Sequence, residues 1–317
     1  MTDKNIKKGL ITGFVGIIFV GLQPIVALLR PVSIDAYLSG AMTCLVESLI
    51  FFPIMLAEIK LMHSKHEKVN QTEHKAFNTH LFGGWKKNFF LLINIGLLFA
   101  VNQVLFFVGY DLAGAINGSL TQKTTVFFSL ILGYIILKER ITKRQIIFSI
   151  FLFFGLAISV TQFFTLVEIN PEILVGVGII LSISFMWIFG HTLTKPLFNR
   201  EEATPIQMVF IRNIISGIIL IFTYLFFFTS DIRIFLEPDN LSFFFLMGAV
   251  YGAGLICWYK TLSYLDVSKA TTIFAPTPIS SAIFATFILR EHFTFAHLLG
   301  TILIIISIII IVNQKRN

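Results

Sequence analysis

The sequence predicts an all-α membrane protein with ten transmembrane helices, arranged as two inverted five-helix repeats with both termini in the cytoplasm. Three observations carry this prediction: the composition, the spacing of the apolar runs and the distribution of basic residues. Of the 317 residues, 56% are hydrophobic and 13% are charged. A soluble core of this length cannot bury that much apolar surface, so the lipid bilayer is the expected solvent.

Ten apolar runs are separated by turn formers or charges such as Arg30-Pro31 and Asn170-Pro171. Each run is close to the roughly 20 residues that a helix needs to cross the hydrocarbon core. The predicted spans are 9–29, 34–57, 89–109, 114–137, 145–165, 172–194, 205–228, 241–260, 267–289 and 295–313.

The basic residues indicate the orientation, because Lys and Arg collect in cytoplasmic loops. With the N-terminus placed inside, nineteen of the 24 Lys and Arg residues fall in inner segments, three fall in outer segments, and two lie within spans. The net charge of +7 is therefore a topology signal, and no nucleic-acid partner is predicted.

An internal repeat joins the two halves of the chain. The segment from Leu137 to Thr142 recurs from Leu289 to Thr294, about 152 residues later, and the same offset matches Gly96 with Gly248. We therefore predict one unit over residues 1–165 and a second over 172–317. Each unit holds five spans, an odd number, so the two copies must cross the membrane in opposite directions, which suits alternating access.

These features resemble the drug/metabolite transporter superfamily, specifically its EamA type. The resemblance covers nearly the whole chain and includes the L-x-E-x-x-T ending of the fourth and ninth spans, with Glu139 and Glu291 at its centre. It implies a ten-helix metabolite transporter, and export as the direction. The fourth span departs from the pattern, because Val126 stands where the repeat calls for proline.

Lys123 is the most informative residue, and Gln122 precedes it. It lies about 14 Å from the outer end of its span at 1.5 Å per residue, close to the midplane. A charge there costs roughly 2.5–3.5 kcal/mol on insertion scales, so it should face a cavity or a partner. We interpret Lys123 as an anchor for an anionic group or as a titrating site; the alternatives are an ion pair with Glu47 or Asp111, or snorkelling.

Glu47 and Arg212 are the other charged candidates. A carboxylate at this depth could exchange a proton as a cavity opens to either side, and the alternative is a static pair with Arg212 or Lys123. Arg212 could bind a carboxylate bidentately, or it could snorkel towards the inner surface.

Uncharged residues complete the candidate site. Asn102, Gln103 and Asn117 are polar groups at depth that could line a cavity or bond neighbouring helices. Tyr251 and Trp258 share one helix face and could form an aromatic wall, although Trp258 lies near the inner end, where an interfacial position is an equally ordinary use.

Pro276 and Pro278 fall in the middle of the ninth span. Each removes a backbone donor and leaves a carbonyl near Thr272 or Phe274 without its helical partner. Irregular backbone at this depth is tolerated where it lines a cavity, so the two prolines mark either part of the site or a kink.

The sequence thus predicts a secondary transporter, with a small polar metabolite such as an amino-acid derivative or an organic anion as substrate and a proton as a candidate coupling ion. The alternatives are a transporter of cationic or aromatic compounds and a membrane-embedded transferase. No nucleotide-binding loop or paired-carboxylate motif supports an enzyme.

We expect no cofactor and no metal, although four histidines crowd the long inner loop: His63, His66, His74 and His80. The expected location is a bacterial-type inner membrane, as a multi-pass protein, and the oligomeric state stays open.

Overall fold

The structure is a computed structural model that describes residues 3–67, 85–137, 141–163, 170–228, 232–265 and 267–312. Within these ranges the chain is helical, and nine helical segments are long and apolar enough to cross a bilayer. A tenth apolar helix, Phe295–Ile311, is shorter than these nine. The side chains of the four histidines of the inner loop lie outside the described part of the chain.

Twelve α-helices form these segments, and we number them in chain order. They are α1 Asp3–Leu28, α2 Ala36–Glu67, α3 Phe89–Ala113, α4 Ala115–Thr121, α5 Thr125–Leu137, α6 Lys143–Thr161, α7 Pro171–Asn199, α8 Pro205–Phe227, α9 Pro238–Tyr264, α10 Val267–Ile273, α11 Thr277–Phe284 and α12 Phe295–Val312.

Two of the predicted spans are not continuous helices. The fourth consists of α4 and α5 joined by one 3₁₀ turn, Gln122–Thr124, and the ninth consists of α10 and α11 joined by a turn over residues 274–276. The prolines predicted the second irregularity. The first was not predicted, because no proline precedes it and Val126 continues into α5 as a buried core residue.

The repeated L-x-E-x-x-T motif has a structural role at two of its positions. Thr142 and Thr294 cap the helices that follow, α6 and α12, through their hydroxyl oxygens. Glu291 accepts hydrogen bonds from the backbone nitrogens of Ala115 at 2.7 Å and Ile116 at 3.0 Å. It thus satisfies donors at the start of α4 and places a carboxylate at the positive end of that helix. Glu139 lies outside the described residues.

Helix pairing follows a regular pattern across the chain. The most extensive contacts join α6 with α12, α1 with α9, α2 with α8, and α3 with α7. Glycines permit several close approaches: a Cβ on Gly96 would lie 2.3 Å from Ile215 of α8, and one on Gly248 would lie 2.8 Å from Val46 of α2. Small residues at such crossings let helix backbones pack closely within a membrane.

A charged cluster ties the start of α3 to the turn between α7 and α8. The Glu202 carboxylate accepts hydrogen bonds from Lys87 at 3.0 Å and Asn88 at 2.9 Å, and it forms a salt bridge with Arg200 at 2.9 Å. Burial raises the pKa of Glu202, but the hydrogen bonds from Lys87 and Asn88 and the charge of Arg200 outweigh it and hold the pKa below its ordinary value of 4.5.

We expect Glu202→Gln to lower the thermal stability of the purified protein at neutral pH and to lose this effect in acid. Because the pKa of Glu202 is lower in the folded than in the unfolded state, its ionised carboxylate stabilises the fold above pH 4.5. This stabilisation is lost as the pH falls through the pKa of the folded state. Melting temperatures of wild type and variant should therefore converge as the pH is lowered. Glu201→Gln is the control, because this exposed neighbour forms none of these contacts. A gap that stays constant with pH would contradict the prediction.

Candidate functional site

A pocket lies between six of the predicted spans, at the level of the two helix breaks. Its wall includes Gln122, Lys123 and Thr125 from the first break, and Thr271 and Phe274 from the second. Arg212 of α8 contributes a second cation. The remaining lining comes from α1, α7 and α9: Val20, Gln23, Trp187, Ile188, His191, Tyr251, Gly254, Leu255 and Trp258.

Lys123 links the two breaks directly. Its ammonium donates a hydrogen bond of 2.8 Å to the carbonyl oxygen of Phe274. In a regular helix that carbonyl would accept from the backbone nitrogen of residue 278, but Pro278 has no hydrogen there. The proline therefore creates the acceptor that the lysine uses. Thr277 satisfies the same oxygen with its hydroxyl at 2.6 Å and its backbone nitrogen at 3.2 Å.

Lys123 forms no ion pair with an acidic side chain of the described residues. It is 6% exposed. Of the two carboxylates considered as partners, Asp111 forms a salt bridge of 2.7 Å with Arg30. The other, Glu47, is not among the residues that line the pocket. An ammonium has three hydrogens, so the bond to Phe274 leaves two for other acceptors.

Arg212 is 2% exposed, so its guanidinium does not reach the membrane surface as snorkelling would require. The group lies over the ring of Phe99, 4.1 Å from its centroid, and one nitrogen donates to Asn213 at 3.4 Å. Its Nε has no partner in the described structure. A cation–π contact of this kind supports a desolvated guanidinium without neutralising it.

Glu47 is fully buried, and neither carboxylate oxygen has a hydrogen-bond partner among the described residues. It interacts electrostatically with Arg212 but forms no direct salt bridge with it. A Cβ on Gly252 would lie 2.9 Å from Glu47 Cγ, which places the glutamate against α9. Glu47 is not among the pocket-lining residues, but it acts electrostatically on two of them, Arg212 and Tyr251.

The remaining predicted residues divide into two groups. Tyr251 and Trp258 line the pocket. The centroid of the Trp258 ring lies 5.2 Å from that of Phe274 and 5.3 Å from that of His191. Asn117 instead contacts His297 of α12 at 3.2 Å, which is the helix-bonding alternative.

Four further residues from the predicted set are absent from the pocket wall. Asn102 and Gln103 are buried in α3. Pro276 and Pro278 lie within the second break, and their role is to shape the backbone that presents Phe274.

Gln23 and Gly254 are site residues that the sequence did not single out. Gln23 donates through Nε2 to the Tyr251 carbonyl at 3.3 Å, which joins α1 to α9 beside the pocket. A Cβ on Gly254 would lie 2.6 Å from that Nε2 and 3.1 Å from Val20. A polar residue near the middle of the first span was the only available signal for Gln23. No metal-ligand cluster occurs among the described residues.

Comparisons with known proteins agree with this architecture. A model of the EamA-like transporter family matches residues 7–161 and 173–313. A solved crystal structure shares the fold, with a TM-score of 0.62 and 13% identity over 95% of this chain and 97% of that chain.

Curated relatives carry transporter names. One from Methanothermobacter thermautotrophicus, described as an uncharacterized transporter, is 21% identical over 71% of this chain and 65% of its own length. The uncharacterized transporter YyaM of Bacillus subtilis is 25% identical over 71% of this chain and 73% of its own length.

We expect Gly254→Ala to impair transport, because the new methyl group would push Gln23 away from the Tyr251 carbonyl and alter the pocket. Gly178→Ala is the matched control, since a Cβ there meets no atom within 4 Å. Both changes favour the helix by about 1 kcal/mol, so their difference isolates the contact at the pocket. Melting temperature and transport rate in liposomes are the measurements, and equal transport by the two variants would contradict this role for Gly254.

The family match covers most of the chain, and the chain is accordingly a multi-pass integral membrane protein that belongs to the EamA-like transporter family.

Proposed function

We propose that this chain is a secondary transporter that exports a small organic anion across the membrane. The observation that carries the proposal is the pocket between six spans, whose described lining holds two cations, Lys123 and Arg212, and no acidic side chain. Intramembrane charges in a cavity mark substrate or ion pathways in membrane proteins. A transporter, and not an enzyme, also fits the family and the names of the relatives.

The proposed architecture is ten spans in two inverted repeats, residues 1–165 and 172–317, with both termini cytoplasmic. The helix breaks support it, because the 3₁₀ turn at 122–124 and the turn at 274–276 are 152 residues apart. The pairing of spans supports it as well. Exchanging the two halves converts the α1–α9 pair into the α7–α3 pair and leaves α2–α8 and α6–α12 unchanged.

Lys123 is the proposed substrate anchor. Its ammonium is bonded to the Phe274 carbonyl, at the junction of the two broken spans. A carboxylate would compete with that carbonyl, because charge-assisted hydrogen bonds are about twice as strong as those to neutral groups. Substrate binding would then weaken the contact between the breaks. A local change at the pocket would thereby act on the elements that must move in alternating access.

Glu47 is the proposed proton carrier. When ionised, it offsets part of the charge of Arg212 through the electrostatic interaction between α2 and α8. When protonated, it leaves the full charge of Arg212 available to the substrate. Anion and proton would then bind together and cross as a neutral pair. Export could be driven by the concentration gradient of the acid, and export is the direction that the EamA resemblance implies.

We expect Lys123→Met to abolish transport of organic anions while the protein still folds and inserts, because the change removes a buried charge and keeps the length of the side chain. Lys195→Met is the matched control. Lys195 also donates to backbone carbonyls, those of Leu262 at 2.5 Å and Leu265 at 3.0 Å, but it is not part of the pocket. Uptake of labelled metabolites into liposomes is the measurement. Anion transport that survives in Lys123→Met would remove this residue from the anchor role. If Lys123→Met fails to fold, Lys123→Arg tests the same charge at the same place.

We expect Glu47→Gln to retain substrate binding and exchange but to lose the response to a pH gradient, because the amide mimics the protonated acid and cannot release a proton. Net flux should instead become sensitive to membrane potential, since an anion would cross without its proton. Glu58→Gln is the control on the same helix, where the carboxylate accepts from Thr204 at 2.5 Å, away from the pocket. Flux in Glu47→Gln that still follows the pH gradient would exclude the coupling role.

A further inference from the structure

The polar groups at the pocket that have no partner are mainly hydrogen-bond donors. Trp258 Nε1 and Arg212 Nε are buried and have no partner in the described structure, and neither nitrogen can accept a hydrogen bond. The Lys123 ammonium adds two further hydrogens beyond its bond to Phe274. Buried donors without partners are destabilising, so a ligand that satisfies them must present acceptors. A carboxylate group offers about four acceptor sites in one plane.

The same pocket offers no partner for a positive group of a ligand. None of the described lining residues is acidic. The buried carboxylate that acts on the pocket electrostatically belongs to Glu47, which lies against Gly252 and is not part of the lining. A substrate ammonium would therefore be a third cation beside Lys123 and Arg212, removed from water and unpaired. Burying a charge in that situation is strongly unfavourable.

Much of the pocket wall is aromatic. Trp187, Tyr251, Trp258 and Phe274 all line the pocket. The Trp258 ring meets Phe274 edge-on, with 75° between the ring planes. Aromatic pairs in such arrangements stabilise each other beyond the area that they bury. A flat ring of the ligand would extend this cluster, whereas an aliphatic chain of the same volume would gain only the burial.

From these three observations we infer that the pocket binds the monoanion of an aromatic carboxylic acid that carries no amino group. One carboxylate matches the pocket, because Trp258, Arg212 and Lys123 offer about four free hydrogens and a single carboxylate offers about four acceptor sites. This inference rests on the proposed function and names the substrate class of the same site. It excludes the corresponding aromatic amino acids, which differ from such acids by a single ammonium group.

The test uses L-phenyllactate and L-phenylalanine, which have the same ring and carboxylate and differ in a hydroxyl against an ammonium group. L-3-cyclohexyllactate, with a saturated ring, tests the aromatic wall. Dissociation constants would be measured on the purified full-length protein by quenching of its tryptophan fluorescence, and transport would be measured by efflux of each labelled compound from liposomes. We expect L-phenyllactate to bind at least about tenfold more tightly than L-phenylalanine, a difference of about 1.4 kcal/mol, and several-fold more tightly than L-3-cyclohexyllactate.

Two variants make the outcome specific to the pocket. Trp258→Leu should remove most of the preference for the aromatic over the saturated ring, and Trp258→Phe should keep it. Binding of L-phenylalanine equal to or tighter than that of L-phenyllactate would overturn the inference, and so would equal binding of the two lactates. If another anion is carried in a Lys123-dependent manner while both aromatic compounds fail to bind, the substrate class is wrong and the proposed function stands. If Lys123→Met changes the transport of no anion, the proposed function fails with it.

Discussion

A single buried ammonium connects the irregular parts of this structure. An unpaired charge inside a transmembrane bundle is unfavourable, and Lys123, which has no acidic partner among the described residues, avoids that condition by donating to the Phe274 carbonyl. That acceptor is available because Pro278 cannot donate to it, so the proline of one broken span and the lysine of the other depend on each other. Irregular backbone is tolerated at membrane depth only where something satisfies its polar groups. The ninth span meets this condition with Lys123 and Thr277, which places a cation where two broken helices adjoin a cavity.

The periphery of the bundle obeys the same requirement. Helix starts need acceptors for their free backbone donors. Thr142 supplies one for α6, and Thr294 supplies one for α12. Glu291 reaches across to the first two residues of α4, so a residue that ends the ninth span fixes the start of the fourth. The halves of the chain are therefore joined at two depths, by a carboxylate at a helix end and by an ammonium near the middle. A movement that separates the fourth and ninth spans at one of these levels can pivot on the other.

The sequence predicted the helical membrane class and most span boundaries, because these depend on hydrophobicity and length alone. It did not predict the break at Gln122–Thr124, which contains no proline and depends on contacts with α7. It singled out Glu47 but could not tell where the carboxylate packs, since that follows from how Gly248 and Gly252 let α2 approach α9. For Trp258, the sequence left two roles open, a position at the membrane interface and a place in the pocket wall. Only the crossing of α9 with the ninth span places its ring against Phe274 and inside the pocket.

The arrangement of charges bears on how such a carrier can change conformation. The Lys123 ammonium is paired with a neutral carbonyl, and the Arg212 guanidinium is partly offset by Glu47 without a direct salt bridge. In the proposed cycle, an anion would replace a weak partner with a strong one at both positions. It would thereby redirect the ammonium that joins the two helix breaks. The Lys123–Phe274 bond therefore offers a physical reason why the carrier would move by different routes with and without its substrate.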